Sequence, residues 1–91
     1  MRVTPQSIPR LRRGVRRQFD TARNTAILMA PERVIILDDI ADAILAECDG
    51  QQNVGQIVSV LAARYQMPEE DINADVSAFL ESLTEAALVS L

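Results

Sequence analysis

The sequence predicts an α+β fold: a small antiparallel sheet of three strands, followed by a bundle of three helices. Three observations carry this. Up to Leu37 the apolar residues fall in short runs broken by the polar stretch 20–25 and by Pro31, the pattern of a β-meander. From Asp38 onward they recur at helical spacing instead. Only two Phe, one Tyr and no Trp are present, so aliphatic side chains must fill the core, which favours helices packed on a small sheet.

Residues 1–13 hold Pro5 and Pro9 among polar and Arg positions with no sustained period, and read as an extended or mobile lead-in that ends at Gly14. Residues 15–19 form the first strand, 20–25 a polar turn and 27–30 the returning strand. Pro31 presets φ for the next turn and pushes Ala30 towards extended geometry. Val34, Ile35, Ile36 and Leu37 then make the third strand, with Val34 and Ile36 on one face and Ile35 and Leu37 on the other. A strand apolar on both faces is unusual in so short a chain, where one face normally meets water.

Asp38 or Asp39 caps the first helix, whose Ile40, Ala41, Ile44, Leu45 and Cys48 keep helical spacing until Asp49 and Gly50 stop it. Asn53 with Gln56 makes a capping-box pattern for the second helix, and Val54, Ile57, Val58, Leu61, Ala62 and Tyr65 form its apolar stripe. Pro68 suits the first position of the third helix, where Glu69, Glu70 and Asp71 complement the positive end of the helix dipole. Its stripe is Ile72, Val76, Phe79, Leu80 and Leu83, and it ends near 85–87. Residues 88–91 dock as a last helical turn or a short strand; propensity does not separate the two. The whole reads as one winged-helix-like domain over 14–91, preceded by a flexible basic arm over 1–13.

Composition narrows the chemistry. Histidine is absent, which removes the commonest general base and metal ligand, and the single Cys48 cannot build a disulfide or a thiolate cage. The longest apolar run, Ala26 to Ala30, is far short of the ~20 residues of a membrane span, so a cytoplasmic protein without membrane or cofactor partners is expected. The net charge of -4 hides an asymmetry: residues 1–23 hold seven Arg against Asp20, whereas the remainder holds two Arg against twelve acids. The basic arm either meets anionic partners or rests on its own acidic domain.

A winged-helix shape invites a nucleic-acid reading, but a reading helix needs Lys or Arg to neutralise phosphate and reach base edges. From Gln66 to the end there are six acids and no base. Catalysis fares no better. Asp38, Asp39 and Asp42 fit a capped, solvated first turn, no further ligands converge on them, and Cys48 lies on an apolar helix face without a His to ionise it. No catalytic or metal residue is assigned. A binding role remains. In a sequential meander the third strand is a sheet edge, whose unpaired backbone groups can receive another chain. A groove between that edge and the third helix would offer Ile35, Leu37, Val76, Phe79 or Leu80 as pockets and Asp75 as a nearby charge. The competing reading, in which the first and third helices simply cover both faces, is equally compatible with the pattern.

The residues also resemble a known family, the PQQ biosynthesis protein D (PqqD) family of peptide chaperones. The resemblance runs from about Leu11 to Val89, through "LRRGVR", Asp20, "LMAPERV" with Leu37, "ILAECDG", "VGQIV" with Leu61 and Tyr65, then "DVSAFLESL" and "LV". It implies a winged-helix-like recognition domain for a ribosomally made precursor peptide, presented to a radical S-adenosylmethionine enzyme that crosslinks the peptide's Glu and Tyr. The implied peptide site is Val34, Ile35, Ile36 and Leu37 on the third strand with Asp75, Val76 and Phe79 on the third helix. One departure stands out: the family commonly has Gly before its terminal Leu-Val, where this chain has Ala87, so the third helix is expected to run further or end differently. An open edge and a strand hinged at Gly14 also allow a homodimer by edge pairing or strand exchange. The rival functions are a generic protein-interaction domain and a nucleic-acid binder acting through its Arg-rich arm.

Overall fold

The computed structural model describes residues 3–91, in the order β1 (Arg10–Leu11), β2 (Arg16–Asp20), β3 (Thr25–Ala30), β4 (Arg33–Ile36), α1 (Asp39–Ala46), α2 (Val54–Tyr65), α3 (Glu69–Glu85) and β5 (Val89–Ser90). Strands β2, β3 and β4 form the expected antiparallel meander with β3 in the centre, and the three helices follow it. The expected α+β fold, a three-stranded antiparallel sheet followed by three helices, holds. Its third strand starts one residue early, at Arg33, while Leu37 continues the ladder by donating its N–H to the Ala26 carbonyl at 3.0 Å.

The β2–β3 turn is organised by Asp20, whose carboxylate accepts the N–H groups of Ala22 and Arg23 and pairs with the Arg23 guanidinium. These contacts, the Arg23 side chain foremost, hold the Asp20 carboxyl below its ordinary range. Asn24 completes the reversal in the left-handed region, at φ 54.

The lead-in is where structure and sequence reading part. Residues 3–13 lie against the domain, not free of it; residues 1 and 2 fall outside the described residues. The carbonyls of Ser7 and Pro5 accept the N–H groups of Val54 and Gly55 at 2.8 and 3.0 Å. Those are the first amides of α2, which have no partner within the helix. The third, on Gln56, is taken by the Asn53 side chain at 2.8 Å, completing the predicted capping box. Pro9 is fully buried, and its carbonyl accepts from Gly50, held at φ 77. Next to it, β1 pairs antiparallel with β5, so residues 88–91 resolve into a short strand and not a helical turn. The backbone of this segment is thus bonded to the domain, while the side chains of Arg12 and Arg13 stay exposed.

Asp38 caps α1, accepting the Ala41 N–H at 2.8 Å. Pro68 stands at the N-cap of α3, one place before its expected position, and no side chain caps that helix. The end of α3 corrects the expectation drawn from Ala87. The helix stops at Glu85, and Ala87 adopts the left-handed conformation at φ 61 despite its Cβ. The Leu88 N–H bonds the Leu83 carbonyl at 2.9 Å and the Ala87 N–H bonds that of Thr84 at 3.0 Å, the two bonds of a Schellman stop. Burial of Leu88 and Val89 and pairing of β5 with β1 hold the turn against its strain.

The core lies between the inner face of the sheet and the three helices. Leu28, Ile44, Ile57, Leu61, Val76 and Leu80 are all essentially inaccessible within it. Among the described residues no helix is long and apolar enough to cross a membrane.

Candidate functional site

The sheet has two edges, β2 and β4. The Leu37–Ala26 bond sets the alternation along β4: Ile35 faces Leu28 and Arg33 faces Ala30 in the hydrogen-bonded pairs. The N–H and C=O groups of Val34 and Ile36 therefore point away from β3, towards the open edge. Their side chains share the outer face of the sheet and stay 47% and 63% exposed. Ile27, opposite Ile36 in the register, is buried on that same face and lies outside the main core cluster. The helices thus cover one face of β4 and leave the other to solvent, which removes the reading in which both faces are covered.

Beside the edge runs a groove of about 530 Å³. One wall is Ile35, Ile36, Leu37 and the cap residue Asp38; the other is Asp75, Ala78 and Phe79 on one side of α3. Ile40, Ala41 and Ile44 of α1 form its floor. The Ala78 and Phe79 positions reach the groove because they sit three and four residues after Asp75, on one stripe of the helix.

The residues expected to form the site are brought together unequally. Ile35, Ile36, Leu37, Asp75 and Phe79 line the groove. Val34 lies past its end and offers backbone groups and an exposed side chain. Val76 is 0% exposed and packs beneath the groove, positioning the wall without reaching its surface. Sequence reasoning missed Asp38, Ile40, Ala41, Ile44 and Ala78. The spacing of Ile40, Ala41 and Ile44 was visible, but an apolar stripe looks the same whether it floors a groove or fills a core.

Other chemistry has little footing. Cys48 is buried, its thiol donates to the Ile44 carbonyl at 3.3 Å, and burial, reinforced by the charges of Asp49 and Glu47, pushes its pKa up to about 12. Asp42 stands 3.4 Å from the Arg17 guanidinium, and Asp38 is occupied as a cap. Among the described residues no group of three or more His, Cys, Asp or Glu could hold a metal ion.

Comparison with known proteins gives the family. A family model described as coenzyme PQQ synthesis protein D (PqqD) matches residues 25–89, from β3 through β5. The PqqA binding protein of Rhodopseudomonas palustris (strain HaA2) is 40% identical over 88 residues, spanning 97% of this chain and 86% of that protein. That of Xanthomonas euvesicatoria pv. vesicatoria (strain 85-10) is 42% identical over 89 residues, spanning 98% and 97%. The solution NMR structure of the PqqD truncation of Methylobacterium extorquens PqqCD, described as a functional and stand-alone RiPP recognition element, superposes with a TM-score of 0.85 at 38% identity, covering 98% of this chain and 95% of that one. The crystal structure of PqqD from Xanthomonas campestris gives 0.63 at 40% identity, with 98% and 99% covered. On sequence and on fold alike, the chain belongs to the PqqD family.

Proposed function

We propose that this chain is the PqqA-binding component of pyrroloquinoline quinone synthesis, taking the precursor peptide as an added strand on β4 and offering it to a radical S-adenosylmethionine enzyme. One observation carries the reading: an apolar edge strand with outward N–H and C=O groups at Val34 and Ile36, bordered from Ile35 onward by an apolar groove. Main-chain hydrogen bonds would hold any extended peptide, and the groove would select by apolar side chains at alternate positions. Covering what remains exposed of partly buried groove side chains such as Ile35 and Phe79 contributes up to about 1 kcal/mol each, so a few such anchors suffice for a usable affinity. Asp38 and Asp75 add negative charge at one end of the groove, which favours basic residues beside the anchors. The chain's part is recognition; the bond-making step belongs to the partner enzyme. A second copy of the chain, pairing through the same edge or exchanging its N-terminal strand, would compete with the peptide, so the binding form on this reading is the monomer.

The test is a titration of isotope-labelled protein with PqqA, following backbone amides. Shifts should concentrate at residues 34–38 and 75–79, and Phe79→Ala should weaken binding by about tenfold to fiftyfold, the cost of an aromatic anchor of about 1.5–2.5 kcal/mol. Shifts confined to other surfaces, with Phe79→Ala binding as well as the parent, would remove the groove from the account. Adding the radical enzyme to the preformed complex should then give a ternary species; competition between enzyme and peptide would contradict the presenting role.

A further inference from the structure

A second cavity, of about 340 Å³, lies beyond the groove at the other end of the seam between β4 and α3 and shares no lining residue with it. It lies where β4 begins and α3 ends, and Arg12, Arg13 and Arg33 border it against a single acid, Glu32. All four side chains are exposed. Arg33 donates to the Ala86 carbonyl at 2.8 Å, which fixes one guanidinium at the negative end of the α3 dipole. The side chains of Arg12 and Arg13 make no hydrogen bond or ion pair among the described residues, whereas Arg17, Arg23 and Arg64 each have a carboxylate partner. The backbone of Arg12 is nonetheless fixed, because its N–H bonds the Leu88 carbonyl at 3.0 Å beside the β1–β5 pair. Guanidiniums crowded on an ordered backbone, with too few acids to match, make a ready site for a carboxylate.

The far end of the seam has the opposite sign, with Asp38 and Asp75 and no base among the groove's lining. The separation of the two ends can be measured along each wall. Asp38 follows Arg33 by five strand residues, about 16 Å at ~3.3 Å per residue. Asp75 precedes Ala86 by eleven residues of helix and its end, again about 16 Å at ~1.5 Å per residue. Both walls thus place the charges about five residues of extended peptide apart. Every pairing in the sheet is antiparallel, the more stable arrangement per residue, so an added strand would run opposite to β4, with its N-terminal end beside Asp38 and Asp75.

We infer that the seam reads charge order as well as apolar anchors: it takes an extended segment with a basic residue at the Asp38–Asp75 end and, about five residues downstream, an acidic residue in the cleft of Arg12, Arg13 and Arg33. This deepens the PqqA-binding reading and rests on it. The charge order fixes the register and direction of a strand whose backbone bonds alone would fix neither.

The full chain carrying Arg12→Gln and Arg13→Gln tests it, since neither side chain holds the fold together; thermal unfolding should match the parent. PqqA should bind this variant about tenfold more weakly at low salt, with a flatter salt dependence. PqqA with its acidic residues changed to Gln should bind the parent chain equally weakly, and should lose nothing more on the double variant. Additive losses, or unchanged affinity while the amides of residues 34–37 still shift, would overturn the acidic subsite and leave the groove intact. Absence of PqqA binding to the parent chain would overturn both. For direction, a nitroxide N-terminal to the bound segment should broaden the amides of Asp75 and Ala78 more strongly than that of Ala87; the reverse pattern would overturn the orientation.

Discussion

The two edges of one three-stranded sheet differ in the side chains that guard them. β2 reads Arg-Arg-Gln-Phe-Asp, and its middle is guarded by Arg17, which reaches back to Asp42 on α1. β4 reads Arg-Val-Ile-Ile and is guarded only at its first residue. Charged side chains along an edge discourage pairing with stray strands, and β4 carries one only at Arg33. The lesson is that an open edge becomes informative when the same sheet shows how its other edge is closed.

The largest effect should come from removing one outward donor. At Ile36 the N–H faces solvent, so proline there costs no ladder bond, yet it deletes a bond to an added strand and crowds its approach. Ile36→Pro should weaken PqqA binding by roughly a hundredfold, about 3 kcal/mol, as read by calorimetry. Phe19→Pro makes the corresponding change on β2, where the register also turns the Phe19 N–H outward, and should leave affinity within about twofold. Equal losses at both edges would erase the distinction.

A smaller effect concerns the wall opposite the open edge. Ala87→Gly relieves the left-handed strain at the end of α3 and should raise stability by about 0.5–1 kcal/mol in urea unfolding, the gain being reduced by the greater freedom of glycine in the unfolded chain. No gain would mean that the turn is unstrained. The smallest effect belongs to the guard itself. Arg17 and Asp42 are each about one-third exposed, so Arg17→Ala should cost no more than about 0.5 kcal/mol of stability while raising self-association, visible by sedimentation at high concentration. A variant that stays monomeric at high concentration would deny Arg17 its guarding role.

Much of this was legible in the sequence, and the parts that were not share a cause. The α2 start was readable because Asn53 and Gln56 announce a local bond pattern, and the β4 edge because four apolar residues follow Pro31. By contrast, β1 and β5 are two residues each and pair across the length of the chain, too short to carry a period. The seating of the lead-in depended on donors at Val54 and Gly55 that exist only once α2 has formed. Ala87 misled because its intrinsic preference is overridden by the burial that follows it at Leu88 and Val89. In the site, β4, Asp75 and Phe79 could be named from pattern and resemblance. The floor from Ile40 and Ile44 needed the tertiary arrangement, as did the discovery that Val76 sits beneath the surface.

On the proposed reading, the uncovered outer face of β4 would give presentation a concrete geometry. Side chains on an added strand alternate, so as one set enters the groove the other set must stand in the plane of Val34 and Ile36. Cargo and carrier would then form a single mosaic surface, half precursor and half protein. An enzyme that docks on that mosaic would recognise the loaded chain as something neither component displays alone.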